Sequence, residues 1–564
     1  MSFRSNFRPG CTRWAVRRAQ WRALGLSEED MHKPKIAVVN TSSDLAICYS
    51  HLDALAALVK DEIRAAGGLP FEIRTAAPSD FVTGAGRGGR YLMPSRELVV
   101  NDIEVMVEGA ELDGMICLSS CDKTAPAHLM AAARLNIPSI LVIGGYQSCG
   151  VFRDAPVDIE DVFEGVGEVM MDRLSLDDLI TMTDSAVTGP GVCAGMGTAN
   201  SMHIAAEALG MTLPGAAPVL GGSERMADNA RQAARRIVGL VEEGMTPRKI
   251  MTPAAFANAV KVMLAVSGSV NALRHMQAVA REGEVEVDIY DLYDRLGPEI
   301  ALLCAIKPNG PGRIDQLERA GGARAVMKRL QPLLDLDVTT VTGMTLADVL
   351  NETPADIDSD VVASLDSPFA KGPALIILRG NLAPAGAIVK LGSTLAPDIL
   401  FKGAAKVFES QEAAMAALEA NELKPGTAVI LRGLGPRGGP GVASASWFVA
   451  AVNGAGLGYD MAVITDGQLS GLNRGLTVGQ VTPEAAGGGP LALVRDGDPI
   501  TIDLAGRKLS LGITEQDFRA RQAALPPFTP LAKSGWLALY ESLVQPLSDG
   551  AVLKPGGNRP GEGN

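Results

Sequence analysis

Residues 114–135, GMICLSSCDKTAPAHLMAAARL, pass from a six-residue apolar run through a polar loop into the alanine-rich, helix-like Ala127–Leu135. Working outward, the same succession recurs on the N-terminal side. Lys35–Val39 leads through a loop to the helix-like His51–Ala66, and Pro70–Thr75 leads through GAGRGGR to the helix-like Ser95–Glu108. On the C-terminal side a fourth apolar run, Ser139–Ile143, ends in Gly144-Gly145. Short buried runs alternating with helices predict parallel strands in an α/β sheet. Ligands of such sheets collect at the carboxyl ends of the strands. Four loops deliver Cys48, Asp80, the triplet Cys121-Asp122-Lys123 and the glycine pair to that edge.

A chain of 564 residues predicts two or three domains. With 47% hydrophobic and 20% charged residues it is globular and too apolar to be disordered. A net charge of −13 argues against nucleic acid or anionic membranes as partners, and 4% aromatics leave no base-stacking platform. The N-terminal MSFRSNFRPGCTRW has no apolar core of a signal peptide, and no run of 18 apolar residues occurs. Seven scattered cysteines make no disulfide scaffold. The expectation is a cytoplasmic protein with reduced thiols. Glycine is abundant at 63 residues, which suggests loops whose backbone approaches something closely.

From Asp158 to Val362 the pattern is mostly helical, with amphipathic runs at Asp228–Glu243 and Pro253–Ala265. The linker SLDSPFAKG at 364–372 is followed by short strands and glycine turns, including a hairpin of Pro499–Leu504 with Lys508–Gly512. The expected division is an N-terminal α/β domain with an added helical region, residues 1–370, and a smaller β-rich, barrel-like domain, residues 371–564.

No C-x-x-C occurs, so no cysteine pair reads locally as a zinc or ferredoxin motif. An arbitrary cysteine is most often a small buried hydrophobe. Cys117, inside a strand, fits that description, whereas Cys48 and Cys121 follow strands and Cys193 sits in TGPGVCAGMGTANS. Cys121-Asp122-Lys123 places a soft ligand beside hard ones, as thiolates suit iron–sulfur clusters and carboxylates suit magnesium. The same triplet also reads as a helix start, with Asp122 favourably near the dipole. Ser470 lies on a glycine turn, in TDGQLSG, where a hydroxyl can face a ligand or the turn can be purely structural. No G-x-S-x-G elbow and no phosphate-binding G-x-x-x-x-G-K-[ST] occurs, although RGNLAPAG and RGLGPRGGPG offer backbone donors to anions.

Taken together, NTSSDLAICYSHL, PSDFVTGAGRGGRYLMPSREL, SSCDKTAPAHLMAA, CAGMGTANSM, LRGNLAPAGAIVK, LRGLGPRGGPG and TDGQLSGLNRGLTVGQVTPEAAGGGPLALV resemble the dihydroxy-acid, sugar-acid and 6-phosphogluconate dehydratase family. The resemblance covers about residues 34–545. It implies a hydro-lyase that removes water from a 2,3-dihydroxy or sugar acid to give a 2-keto acid. By resemblance, Cys48, Cys121 and Cys193 hold an iron–sulfur cluster, 2Fe–2S favoured over 4Fe–4S. Asp80, Asp122 and a carbamylated Lys123 hold Mg²⁺, and Ser470 takes the proton from C2. It also implies a homodimer or homotetramer acting on a small hydroxy acid.

Three segments depart from the family pattern. Ser444 stands where another Mg²⁺-binding glutamate is expected, Gln480 replaces a histidine, and Ser267-Gly-Ser-Val270-Asn271 replaces G-G-S-T-N. The missing carboxylate leaves three readings open: Mg²⁺ held by fewer protein ligands, an unusual substrate that supplies a ligand, or a scaffold that has lost dehydration and has a binding or regulatory role. A working or altered dehydratase covers the first two, and retention of the thiols, Asp80, Asp122, Lys123 and Ser470 favours it.

Overall fold

A computed structural model of the chain describes residues 3–86, 89–439, 445–469 and 474–554. Strands β1 (Lys35–Asn40), β2 (Leu69–Arg74), β3 (Gly114–Ser119) and β4 (Ser139–Ile143) pair in parallel in the order β2-β1-β3-β4. Every residue of β1, β3 and β4 is buried, as continuous apolar runs require when a sheet is covered on both faces. Helix α1 (Thr12–Ala23) precedes the sheet, and α2 (Leu52–Ala65), α3 (Leu92–Gly109) and α4 (Cys121–Leu135) follow the first three strands. Helix α2 buries Leu52, Leu55, Ala56, Val59 and Ile63, the spacing of one helical stripe.

Helix α4 departs furthest from the sequence-based expectation. It begins at Cys121, six residues before Ala127, and runs through Pro126. An interior proline ordinarily marks a helix boundary because it lacks an N–H and its ring crowds the preceding turn. Here burial of nearly every residue of α4 outweighs one missing backbone hydrogen bond.

The central region is helical, as expected. Pro253–Ala265 is a helix, and Glu224–Glu243 begins four residues before the expected Asp228, capped by the Ser223 side chain on the Met226 N–H. Helix α5 (Ile159–Met170) opens with a capping box of Asp158 and Asp161.

The C-terminal part is a closed eight-stranded barrel of β7 (Leu375–Gly380), β8 (Ala383–Lys390), β9 (Leu400–Phe408), β10 (Thr427–Leu431), β11 (Ala462–Thr465), β12 (Thr477–Thr482), β13 (Pro499–Asp503) and β14 (Lys508–Leu511). A small ribbon of β5 (Gly150–Phe152) and β6 (Ala155–Val157) lies earlier in the chain. The hairpin β13–β14 pairs Ile500 with Leu511 and Asp503 with Lys508. Strand alternation divides the barrel's side chains. Ala428, Ile430, Ile464 and Ile502 fill the barrel, whereas Val429, Leu431 and Val463 join the core shared with the N-terminal sheet. The helix Ser446–Gly454, which follows β10, packs against α5 and joins the two parts.

Candidate active site

The parallel sheet brings the loops after β1, β2, β3 and β4 to one edge, and a cavity of about 220 Å³ opens there. Its wall carries Cys48, Asp80, Cys121, Asp122 and Cys193. Cys48 and Cys121 are buried and within hydrogen-bonding reach of each other. Cys121 has a left-handed backbone (φ 66°), uncommon for a residue with a side chain, which turns the chain from the extended Ser120 sharply into α4. The Ser120 hydroxyl donates to the Cys48 carbonyl at 2.6 Å and ties the two cysteine segments together.

Cys193 arrives by a different route. Its segment runs beside the end of β4, with the Gln147 N–H on the Val192 carbonyl (2.7 Å) and the Val192 N–H on the Gly145 carbonyl (2.8 Å). Gly191 permits this pass: its φ is +110°, and a Cβ there would lie 2.6 Å from the Gly145 carbonyl oxygen. Asn200 then donates to the carbonyls of Cys193 (2.9 Å) and Gly195 (2.8 Å), fixing the loop.

Lys123 is fully buried, and its Nζ donates to both Asp80 oxygens at 2.7 and 3.0 Å, with Asp122 Oδ2 at 3.9 Å. Burial, and then the Asp80 charge, push the Asp122 carboxyl above the ordinary carboxylate range, opposed by Lys123. Thr198 hydrogen-bonds Asp122 and is itself held by Ser269 and Asn271, each at 2.9 Å. The departing segment 267–271 therefore supports a site carboxylate. Its Val270 carbonyl also accepts from Gln480 Nε2 at 3.2 Å, so two of the three departures touch.

Cys121 and Cys193 are held protonated. The Cys48 hydrogen bond, followed by burial and the nearby Asp80 and Asp122 charges, raises Cys121, while burial, Asp122 and Cys121 raise Cys193. Ligation would therefore release protons. Among the described residues, no three His, Cys, Asp or Glu side chains converge tightly enough to grip a single ion. Three thiols spread around one cavity suit a polynuclear cluster, whose iron atoms lie apart, better than a mononuclear site. The donor chemistry fits an iron–sulfur group beside a hard-cation pocket.

The far wall of the cavity comes from α5 and the helix Ser446–Gly454, which supply Glu160, Phe163, Glu164, Trp447, Ala450 and Asn453. Phe163 packs on Phe81, beside Asp80, with ring centroids 5.0 Å apart. Glu164 pairs with Arg474, Oε1 to Nε at 2.9 Å. Sequence reasoning missed Thr198, Asn200, Glu160 and Glu164; the polar TANS run beside Cys193 was the available signal for the first two.

Of the expected site residues, Cys48, Asp80, Cys121, Asp122 and Cys193 share the cavity, and Lys123 joins them through Asp80. Ser470 and Ser444 lie outside the described residues. The RGLGPRGG backbone donors, expected as an anion cradle, instead serve internal carboxylates. Gly433 and Leu434 donate to Asp466 at 3.1 and 2.9 Å, and Gly438 donates to Glu484 at 3.0 Å. Cys117 is fully buried in β3, as expected. No helix among the described residues is long and apolar enough to cross a membrane.

Comparison with known proteins agrees with this arrangement over nearly the full length. The chain is 40% identical over 541 residues to a dihydroxy-acid dehydratase of Hydrogenobaculum sp. (strain Y04AAS1), covering 96% of this chain and 97% of that one. It is 39% identical over 543 residues to one of Ignicoccus hospitalis, covering 96% and 98%. It is 38% identical over 557 residues to one of Aquifex aeolicus, covering 98% and 100%. Residues 33–349 match the dihydroxy-acid/6-phosphogluconate dehydratase N-terminal domain and residues 360–551 the corresponding C-terminal domain, so the chain belongs to that family of hydro-lyases.

Proposed function

We propose that the chain dehydrates a 2,3-dihydroxy carboxylic acid to a 2-keto acid, with an iron–sulfur cluster on Cys48, Cys121 and Cys193, 2Fe–2S in type. Mg²⁺ would be held by Asp80, Asp122 and Lys123 in carbamylated form. The observation that carries the reading is the meeting of three sequence-distant cysteines in one cavity with Asp80 and Asp122, while Lys123 sits buried on Asp80. Bound there, the two metal groups would supply a Lewis acid toward the C3 hydroxyl and positive charge toward the carboxylate.

The chain's own groups do the remainder. Asp80 and Asp122 fix the position of positive charge, and so the direction in which the substrate carboxylate points. A carbamate on Lys123 Nζ would turn a cation into an anion, and three anions side by side would then require a divalent partner. The apolar wall of Ile47, Phe81, Phe163, Val192 and Trp447 limits water around the reacting carbons. By resemblance, Ser470 takes the proton from C2. The C3 hydroxyl leaves with the proton taken from C2, so that one water is released, and the enol tautomerises to the 2-keto acid.

Anaerobically purified protein should contain iron and acid-labile sulfide at about two each per chain and form 2-keto acid from 2,3-dihydroxy acids. Cys121→Ser should lose both the visible charge-transfer absorption and the product. An iron-free, colourless preparation that still produced keto acid would overturn the reading.

A further inference from the structure

One buried acid in the cavity wall has no task in the reaction above. Glu160, at the second position of α5, is 3% exposed, and neither carboxyl oxygen has a hydrogen-bond partner among the described residues. Its neighbours explain why. Lys307 Nζ serves Asp161 (2.7 Å) and Asp158 (3.2 Å), and Arg474 is taken by Glu164, leaving its Nε 3.9 Å from Glu160. Lys390, at the end of β8, feels the Glu160 charge without hydrogen-bonding it. Burial, with the nearby Asp158 and Glu164, holds the Glu160 carboxyl well above the ordinary range against the pull of Lys307 and Arg474. A protonated carboxyl both donates and accepts.

The charges that act most on Glu160 are Lys307, Asp158, Glu164 and Arg474, and neither Asp80 nor Asp122 is among them. Yet it lines the same cavity as Asp80, Asp122 and the three cysteines. The reacting end of a dihydroxy acid, its carboxylate with C2 and C3, belongs to those groups. The remainder of the chain must lie along the wall of α5, where Ile159 and Phe163 are apolar and the Glu164 carboxyl is taken by Arg474. A buried group with no hydrogen-bond partner of its own discriminates strongly, because a ligand without a matching group leaves it buried and unpaired.

We propose that Glu160 is a specificity-determining residue whose carboxyl group binds a hydroxyl carried by the substrate beyond C3, so that the chain prefers polyhydroxylated acids to acids with a plain alkyl chain. This rests on the dehydratase reading and adds the substrate class to it.

The test is a matched pair, 2,3,4-trihydroxybutanoate against 2,3-dihydroxybutanoate, of the same configuration at C2 and C3, with cluster-loaded protein. The wild type should favour the trihydroxy acid by about tenfold or more in kcat/KM. Glu160→Gln, which keeps a donor and an acceptor, should retain part of that ratio, and Glu160→Val should bring it to one or below. A loss of folding would lower both substrates together and leave the ratio alone. A wild-type preference for the dihydroxy acid, or a ratio unmoved in Glu160→Val, overturns the proposal. Calorimetric Kd values for the same two acids keep the two claims separate. Absence of keto acid from either acid sinks the dehydratase reading, while the Kd ratio and its response to Glu160→Val still decide the role of Glu160.

Discussion

Replacing Gly167 by alanine probes the seam that closes the cavity. Helix α5 and the helix Ser446–Gly454 approach through two glycines: a Cβ on Gly167 would lie 2.2 Å from the Ala451 carbonyl oxygen, and one on Gly454 would lie 2.0 Å from that of Glu164. Real contacts of this kind need more than 3 Å, and the obstacle is backbone. The helices must therefore separate by roughly 1 Å, at a cost of about 1–3 kcal/mol for overpacking. Glycine to alanine in a helix also contributes up to about 1 kcal/mol of intrinsic stabilisation, which has to be removed from the comparison. Gly239→Ala provides that control, because its Cβ would meet only the flexible ends of Arg236, at 3.1 Å, and Glu243, at 3.6 Å. The urea midpoints of the two variants should thus differ by the packing term alone, with Gly167→Ala the less stable. The same shift moves Glu160, Phe163 and Glu164 away from Trp447 and Asn453, and 1 Å of misplacement costs on the order of a hundredfold in rate. Visible absorption should persist, since the three cysteines lie on other elements. Equal or greater stability of Gly167→Ala relative to Gly239→Ala would refute the argument.

Lys123→Met should destabilise the metal-free protein by about 3–5 kcal/mol in denaturant titrations, because Asp80 and Asp122 lose their buried cation. Unchanged stability would mean that the ion pair is not formed in solution. His128 and His203 are fully buried, and burial pushes each down to about 3. The unfolded chain protonates them first, near 6.5. Their contribution is therefore complete above about pH 6.5 and falls as pH drops toward 3, by about 1.4 kcal/mol per pH unit for each histidine. Denaturant titrations from pH 7 to 4 should show that slope, and His203→Gln should reduce it by half of the pair's share; a slope unchanged in the variant would rule out neutral burial of His203.

The parallel sheet is legible in the chain because strands covered on both faces must be continuously apolar, and Ile36–Val39, Gly114–Leu118 and Ile140–Ile143 are. The gathering of Cys48, Asp80 and Cys121 at one edge follows, since parallel strands present all their carboxyl ends together. The start of α4 was hidden by Pro126, whose local preference is overridden by packing that no short window contains. Glu160 reads locally as an ordinary acid favouring a helix N-terminus. Its burial comes from segments hundreds of residues away, among them the helix Ser446–Gly454. Gly167 likewise looks like a small cost to a helix until Ala451 stands 2.2 Å from its missing Cβ.

Residue order alone was enough to establish the sheet, the family and the thiols and acids that meet, because periodicity and motif spacing are properties of neighbours along the chain. The shape of the cavity's far wall, the carboxyl left without a hydrogen-bond partner among the described residues and the closeness of the seam were decided by folding, because they depend on which distant surfaces exclude water from one another.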